Sequence, residues 1–266
     1  MKKLSVLAIA FAAIAFAACG GKKAQAVEDA DSLKSFEQQQ IEASIKMHFD
    51  SIAADLGKLQ QLPFLQEGEN GVQLTKEEKQ VKPDYLLAPA VADEAATLAE
   101  KYRILSALNV DRKIASMYEL PTEDFDKAIS KLVADIDDPS FKVIDNANTL
   151  YETTTTLYDA MNENGRINNF WQLASAALVE QLYVTNQNAD KFLAVFNDEA
   201  ASNVTYRIVL ILDAVNRLKE YDPEIAPVAD AIAPLDVLNA TSVDELKAQL
   251  AEAKDKIAAA REALIK

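Results

Sequence analysis

From Leu33 onward, apolar residues recur along this chain at helical spacing almost without a break. Ile41, Ile45, Phe49, Ile52, Leu56 and Leu59 are separated by steps of three and four, which predicts one long amphipathic helix. Gly57 lies near its end, and Pro63 stops it. Val209 to Leu212 is an unbroken apolar run extended at helical spacing by Ala214, Val215 and Leu218, so this helix is expected to be the central, most buried one. A further helix, from about Asn169 to Val184, carries Ala174, Ser175, Ala176 and Ala177. Side chains this small let a neighbouring helix approach closely.

Capping chemistry marks the boundaries between these segments. Thr122 precedes Glu123 and Asp124, placing a capping oxygen and two acids at the positive end of a helix. Asp138-Pro139 and Asp222-Pro223 each set an acceptor before a proline, a helix-start signal, and Ser242 with Glu245 forms a capping box. Gly165 fits a helix stop. Residues 60 to 84 break the pattern with Pro63, Gly68, Gly71 and Pro83. Asn70-Gly71, flanked by Phe64, Val72 and Leu74, predicts a small hairpin near residues 63–75. The expected fold class is all-α, an antiparallel multi-helix bundle formed by one domain over residues 32–266.

The C-terminal segment has the most regular pattern. Val243, Leu246, Leu250, Ala253, Ile257, Ala260 and Leu264 alternate steps of three and four, the seam of a coiled coil. Lys247, Lys254, Lys256 and Arg261 border that seam, so two copies would bring like charges together along both edges. The expectation is therefore a monomer in which this basic-edged helix packs onto an acidic surface of its own domain. Docking on another protein is the alternative.

The N-terminus adds a destination. Lys2 and Lys3 are followed by the apolar run Leu4 to Ala18 and then by Cys19, the only cysteine of the chain. Phe16-Ala17-Ala18-Cys19 resembles the lipobox of bacterial lipoproteins, with Phe16 where Leu is usual. An ordinary signal peptide cleaved after Ala17 and an uncleaved anchor are the competing readings. The anchor is the weaker of the two, since a bilayer span needs about 20 apolar residues and Gly20, Gly21, Lys22 and Lys23 end this run. The division that follows is a lipoprotein signal over 1–18, a flexible tether over 19–31 and the domain beyond. It implies membrane attachment through an N-terminal lipid on Cys19, in the bacterial cell envelope, at the outer membrane facing the periplasm. Exposure on the cell surface stays open. Asp31-Ser32-Leu33 resembles the Asp-Ser/Thr-apolar acceptor of protein O-glycosylation in Bacteroidota, which nominates Ser32.

Charge removes one class of partner. Without Lys2 and Lys3 the chain has 25 bases and 42 acids, a net charge of -17, and a field of that sign repels nucleic-acid backbones. Candidate chemistry is sparse. His48 is the only histidine, so neither paired Glu-x-x-His nor His-Glu-x-x-His metal motifs can form, and no Gly-x-Ser-x-Gly elbow accompanies it. Glycines in phosphate-loop spacing are missing, and Asp135, Asp137 and Asp138 lack the glycine and distal glutamate of a calcium loop, so they read as capping and solvation. No cofactor and no metal are expected. Paired carboxylates act through their separation in space, so a histidine-independent hydrolase remains a third reading.

Leu178 to Thr185, followed by Asn186-Gln187 and then by the helix containing Val209 to Leu212, resembles a group of uncharacterised all-helical lipoproteins of Bacteroidota. The resemblance extends from about Tyr102 to the C-terminus. It implies compartment and fold and transfers no functional residue. The leading functional expectation is a lipid-anchored, non-catalytic helical binding or scaffold module with a protein partner not identified by sequence. The alternative is a small-molecule or glycan-binding lipoprotein whose interhelical pocket is lined by Tyr118, Trp171 and Tyr183.

Overall fold

A computed structural model describes residues 71–143, 154–220 and 222–265, together with isolated helical positions between 39 and 47. Cys19, Ser32, His48 and the whole first amphipathic stripe, Ile41 to Leu59, lie outside the described residues. Among the described residues every regular element is helical, as the periodicity predicts. In chain order these are α1 (Lys76–Gln80), α2 (Leu98–Met117), α3 (Glu123–Ile136), α4 (Thr154–Glu163), α5 (Ile167–Gln187), α6 (Ala189–Phe192), α7 (Asp198–Leu218), α8 (Ala226–Ile232), α9 (Val243–Glu252) and α10 (Lys254–Ile265). Short 3-10 turns cover Pro89–Asp93, Pro139–Val143, Leu193–Val195 and Ala233–Val237. Of the predicted hairpin, residues 71–75 are described and form no strand; Val72 is buried in the helical core instead.

Two helices make the centre. α2 is buried without a break from Tyr102 to Asp111, and α5 from Ser175 to Leu182. Arg103 meets Gln172 near their first turns and Asp111 lies beside Glu180 further along, so these two helices run parallel, whereas α10 runs antiparallel to α2, with Leu264 at Arg103 and Arg261 at Asp111. The small residues of α5 serve as expected: Ser106 Oγ donates to the Leu173 carbonyl at 2.8 Å, a distance that needs close backbones. α7 is not the central helix. Val209 is 52 % exposed, because residues in an α-helix turn about 100° each and four consecutive apolar positions cannot share one face. Val204, Ile208, Ile211, Val215 and Leu218 form its buried side.

Several caps differ from their sequence reading. Thr97 and Glu100 form a complete capping box ahead of α2, and Thr75 with Glu78 does the same ahead of α1. Thr122 makes no cap; its hydroxyl turns to Asp126 at 3.3 Å. Asp222 accepts from the Glu224 amide at 2.8 Å and closes a turn, with α8 starting only at Ala226. Ser242 does cap α9, while Glu245 bonds Thr241 in place of the Ser242 amide. Gly165, at φ +68, ends α4 in the left-handed conformation that glycine adopts without strain.

The C-terminal seam is interior. Leu246, Leu250, Ala253, Ile257, Ala260 and Leu264 are all buried, and the helix is divided at Ala253 into α9 and α10. Its basic edge finds acids of its own domain, Lys247 on Asp190 and Arg261 on Glu180. Arg103 donates to the Leu264 carbonyl at 2.7 Å, and Asn186 to the Leu250 carbonyl at 3.0 Å, so both halves are fastened to the central helices.

Candidate functional site

The charged residues least expected in a core are Asp111 on α2 and Glu180 on α5, with relative exposures of 0 % and 1 %. Helix periodicity puts them there. Asp111 continues the buried face that begins at Tyr102, and Glu180 stands between Val179 and Gln181 in the buried stretch of α5. Arg261 reaches them from α10. Its Nε lies 2.8 Å from Glu180 Oε2 and its Nη2 2.7 Å from Oε1, a two-pronged pairing that suits the planar guanidinium. The same Nη2 donates to the Tyr85 carbonyl at 3.1 Å and stands 3.7 Å from Asp111 Oδ2. The Tyr183 ring closes the other side, its centroid 4.0 Å from Arg261 Cζ.

Two carboxylates therefore share one guanidinium in an enclosed space. Asp111 Oδ2 accepts from the Leu87 amide at 2.6 Å, but Oδ1 has no hydrogen-bond partner among the described residues. Burial pushes the Asp111 carboxyl well above its ordinary range, and the neighbouring Glu180 pushes it the same way. The Leu87 amide and Arg261 offset only part of this. A proton on Asp111 gives that carboxyl a donor of its own and makes Asp111, Glu180 and Arg261 together neutral. Burial alone would lower the Arg261 guanidinium, yet Glu180 and then Asp111 outweigh it and hold it above its usual value. Burial, followed by Tyr118, raises the Tyr85 phenol.

Two smaller polar groups fix the ends of the helices. Tyr102 donates to Asp138 Oδ2 at 2.5 Å, while Asp138 Oδ1 accepts from the Ser140 amide at 2.8 Å. Asp138 thus caps as expected, but it is buried and bonded to the core where solvation was the sequence reading. Asp135 lies 3.9 Å from Lys101 on the outside. Among the described residues, no group of three or more His, Cys, Asp or Glu side chains is placed to hold a metal ion.

The aromatic residues nominated for a ligand pocket are divided. Trp171 is buried in an edge-to-face group with Phe170, at 4.9 Å, and Tyr158, at 6.4 Å. Tyr183 covers Arg261, and Tyr118 closes the end of α2 near Tyr85. These three line neither of the cavities described next. One, of about 10 Å³, is enclosed by Leu178, Gln181, Thr185, Phe196, Arg207 and Leu250 and is the size of a single water. A larger, open depression of about 410 Å³ lies between the Pro89–Asp93 turn and α3, with Ala92 and Ala128 among its apolar lining and Asp93, Asp124, Lys127 and Lys131 among its charged lining. Those charges pair with one another, Lys127 with Asp124 at 3.0 Å and Lys131 with Asp93.

Sequence reading passed over Asp111, Glu180 and Tyr85. A usable signal existed, since an acid inside an otherwise apolar helical face is either paired or protonated. What it cannot give is the partner, because Asp111, Glu180 and Arg261 come from three distant segments. No protein-family model, curated protein or solved structure matches this chain. Fold and site together define an all-helical bundle organised round an enclosed ionic cluster, and among the described residues no helix is long and apolar enough to cross a membrane.

Proposed function

We propose that this is a lipid-anchored lipoprotein of the bacterial cell envelope, attached through Cys19, whose helical domain is a non-catalytic binding or scaffold module. The observation that supports this most is how the buried ionisable groups are used. Asp111 and Glu180 lie side by side, yet Arg261 occupies the space beside both, 2.7 Å from Glu180 and 3.7 Å from Asp111, where a substrate would have to enter. A hydrolytic pair needs a cleft between its carboxyls. The resemblance to helical lipoproteins of Bacteroidota and the Lys2-Lys3, apolar run, Cys19 order support the compartment.

Two experiments test the reading. Replacing Cys19 with Ser moves the protein from the detergent phase to the aqueous phase on partitioning and leaves helical content unchanged; equal partitioning overturns the anchor. Crosslinking in intact cells, followed by identification of bound molecules, recovers a protein partner. A second reading, a small-molecule or glycan-binding lipoprotein, is favoured by the 410 Å³ depression beside Asp93 and Lys131. Recovery of a glycan or metabolite lost on Lys131→Ala substitution selects it.

A further inference from the structure

Between α1 and α2, residues 81–97 cross the bundle as a strap with no α-helix of its own. Ion pairs hold it at both ends. Lys79 meets Glu119 at 2.5 Å and Glu78 meets Lys191 at 2.8 Å before it, and Asp93 pairs with Lys131 towards its far end. Its middle is fastened from within by two backbone hydrogen bonds. The Leu87 amide donates to Asp111, and the Tyr85 carbonyl accepts from Arg261.

Both inner fastenings belong to the ionic cluster, so the strap and the charge state of that cluster are one system. The groups facing Asp111 and Arg261 are Glu180 and Tyr183 from α5 and Tyr85 from the strap; Asp84 and Tyr118 act on Tyr85 and stand behind it. Arg261 is the only cation among them. With Asp111 protonated, Asp111, Glu180 and Arg261 sum to zero charge; without that proton an unbalanced negative charge is enclosed, and an enclosed charge draws in water. Helices α2 and α5 resist opening, because long stretches of each are buried. The strap contributes the half-buried Tyr85, Leu86 and Leu87. It is the part that opens at least cost.

We propose that Asp111, Glu180 and Arg261 form a proton-operated latch: with Asp111 protonated the strap is closed over the cluster, and loss of that proton releases residues 84–88. This device is independent of the envelope assignment. The direction of the Asp111 shift agrees with it, since the strap amide and Arg261 together fail to offset burial and Glu180.

Amide hydrogen exchange of the purified full chain, measured across a pH series and corrected for intrinsic exchange, tests the latch. Protection at residues 85–88 falls with rising pH, by at most about tenfold per pH unit within the titration, while the buried stretch of α5 stays level. In Asp111→Asn, which keeps an acceptor for the Leu87 amide but carries no titrating carboxyl, the profile is flat. Glu180→Gln leaves one carboxylate facing Arg261 and gives the same flat profile, so it serves if the first variant fails to fold. Infrared spectra of the wild type contain a protonated carboxylic-acid band that persists above the pH at which exposed carboxyls have ionised. A strap whose protection is level with pH in the wild type, a slope that persists in a folded variant, or absence of that band overturns the proposal.

Discussion

Arg261 grips Glu180 through both Nε and Nη2, at 2.8 Å and 2.7 Å, although the two residues lie on helices far apart in sequence. This contact fastens α10 to α5 and neutralises one of two buried carboxylates. It also keeps Glu180 available as the neighbour that raises Asp111.

Arg261→Ala leaves Glu180 enclosed without its cation. Breaking a buried pair from one side costs about 3–5 kcal/mol, so a denaturant midpoint well below that of the wild type is expected, with the slope preserved. Arg261→Lys rescues only part of this, because an ammonium cannot span both Glu180 oxygens and the Tyr85 carbonyl. Full rescue by lysine shows that charge alone matters here.

Asp111 makes stability depend on pH in a defined direction. A carboxyl held above its ordinary range in the folded state contributes stability that is complete at and below that range and is lost as pH rises towards the folded value. Asp111→Asn removes the loss. The difference in Tm between variant and wild type therefore moves in favour of the variant as pH rises from the ordinary carboxylate range towards the folded value. A constant difference across that interval shows that Asp111 does not titrate there.

Leu250 and Ile257 are fully buried in the seam, whereas Val209 is exposed on α7. Leu250→Asp with Ile257→Asp lowers the unfolding free energy by several kcal/mol through buried unpaired charge, on the order of 3 kcal/mol or more, and Val209→Asp changes it by less than about 0.5 kcal/mol. Circular dichroism during denaturation checks both. Unchanged stability of the double variant, with loss of a bound protein, makes the seam an intermolecular surface.

Asp138→Ala severs the Tyr102 hydroxyl and the Ser140 amide together, at a cost of about 1–3 kcal/mol for the groups left unsatisfied. Thr97→Ala removes half of one capping box and costs about 1 kcal/mol. Thr122→Ala at the start of α3, where no cap bond forms, costs less. Equal losses at Thr97 and Thr122 contradict this assignment of caps.

The sequence by itself determined what depends on near neighbours. Steps of three and four fixed the helical class, Gly165 fixed a stop, and the apolar positions from Leu246 to Leu264 fixed which side of the last helices would be covered. The capping boxes at Thr75 and Thr97 follow an equally local pattern, Thr-x-x-Glu, but sequence reading passed over both. Tertiary structure decided everything that depends on which face meets which. Val209 belongs to an apolar run yet faces outward, because burial follows angle round the helix and the neighbours that α7 finds. Thr122 has the chemistry of a cap but bonds Asp126 instead. Asp111, Glu180 and Arg261 read singly as ordinary charged positions. Only the fold brings them into one enclosed space, where burial and the neighbouring Glu180 push the Asp111 carboxyl above its ordinary range.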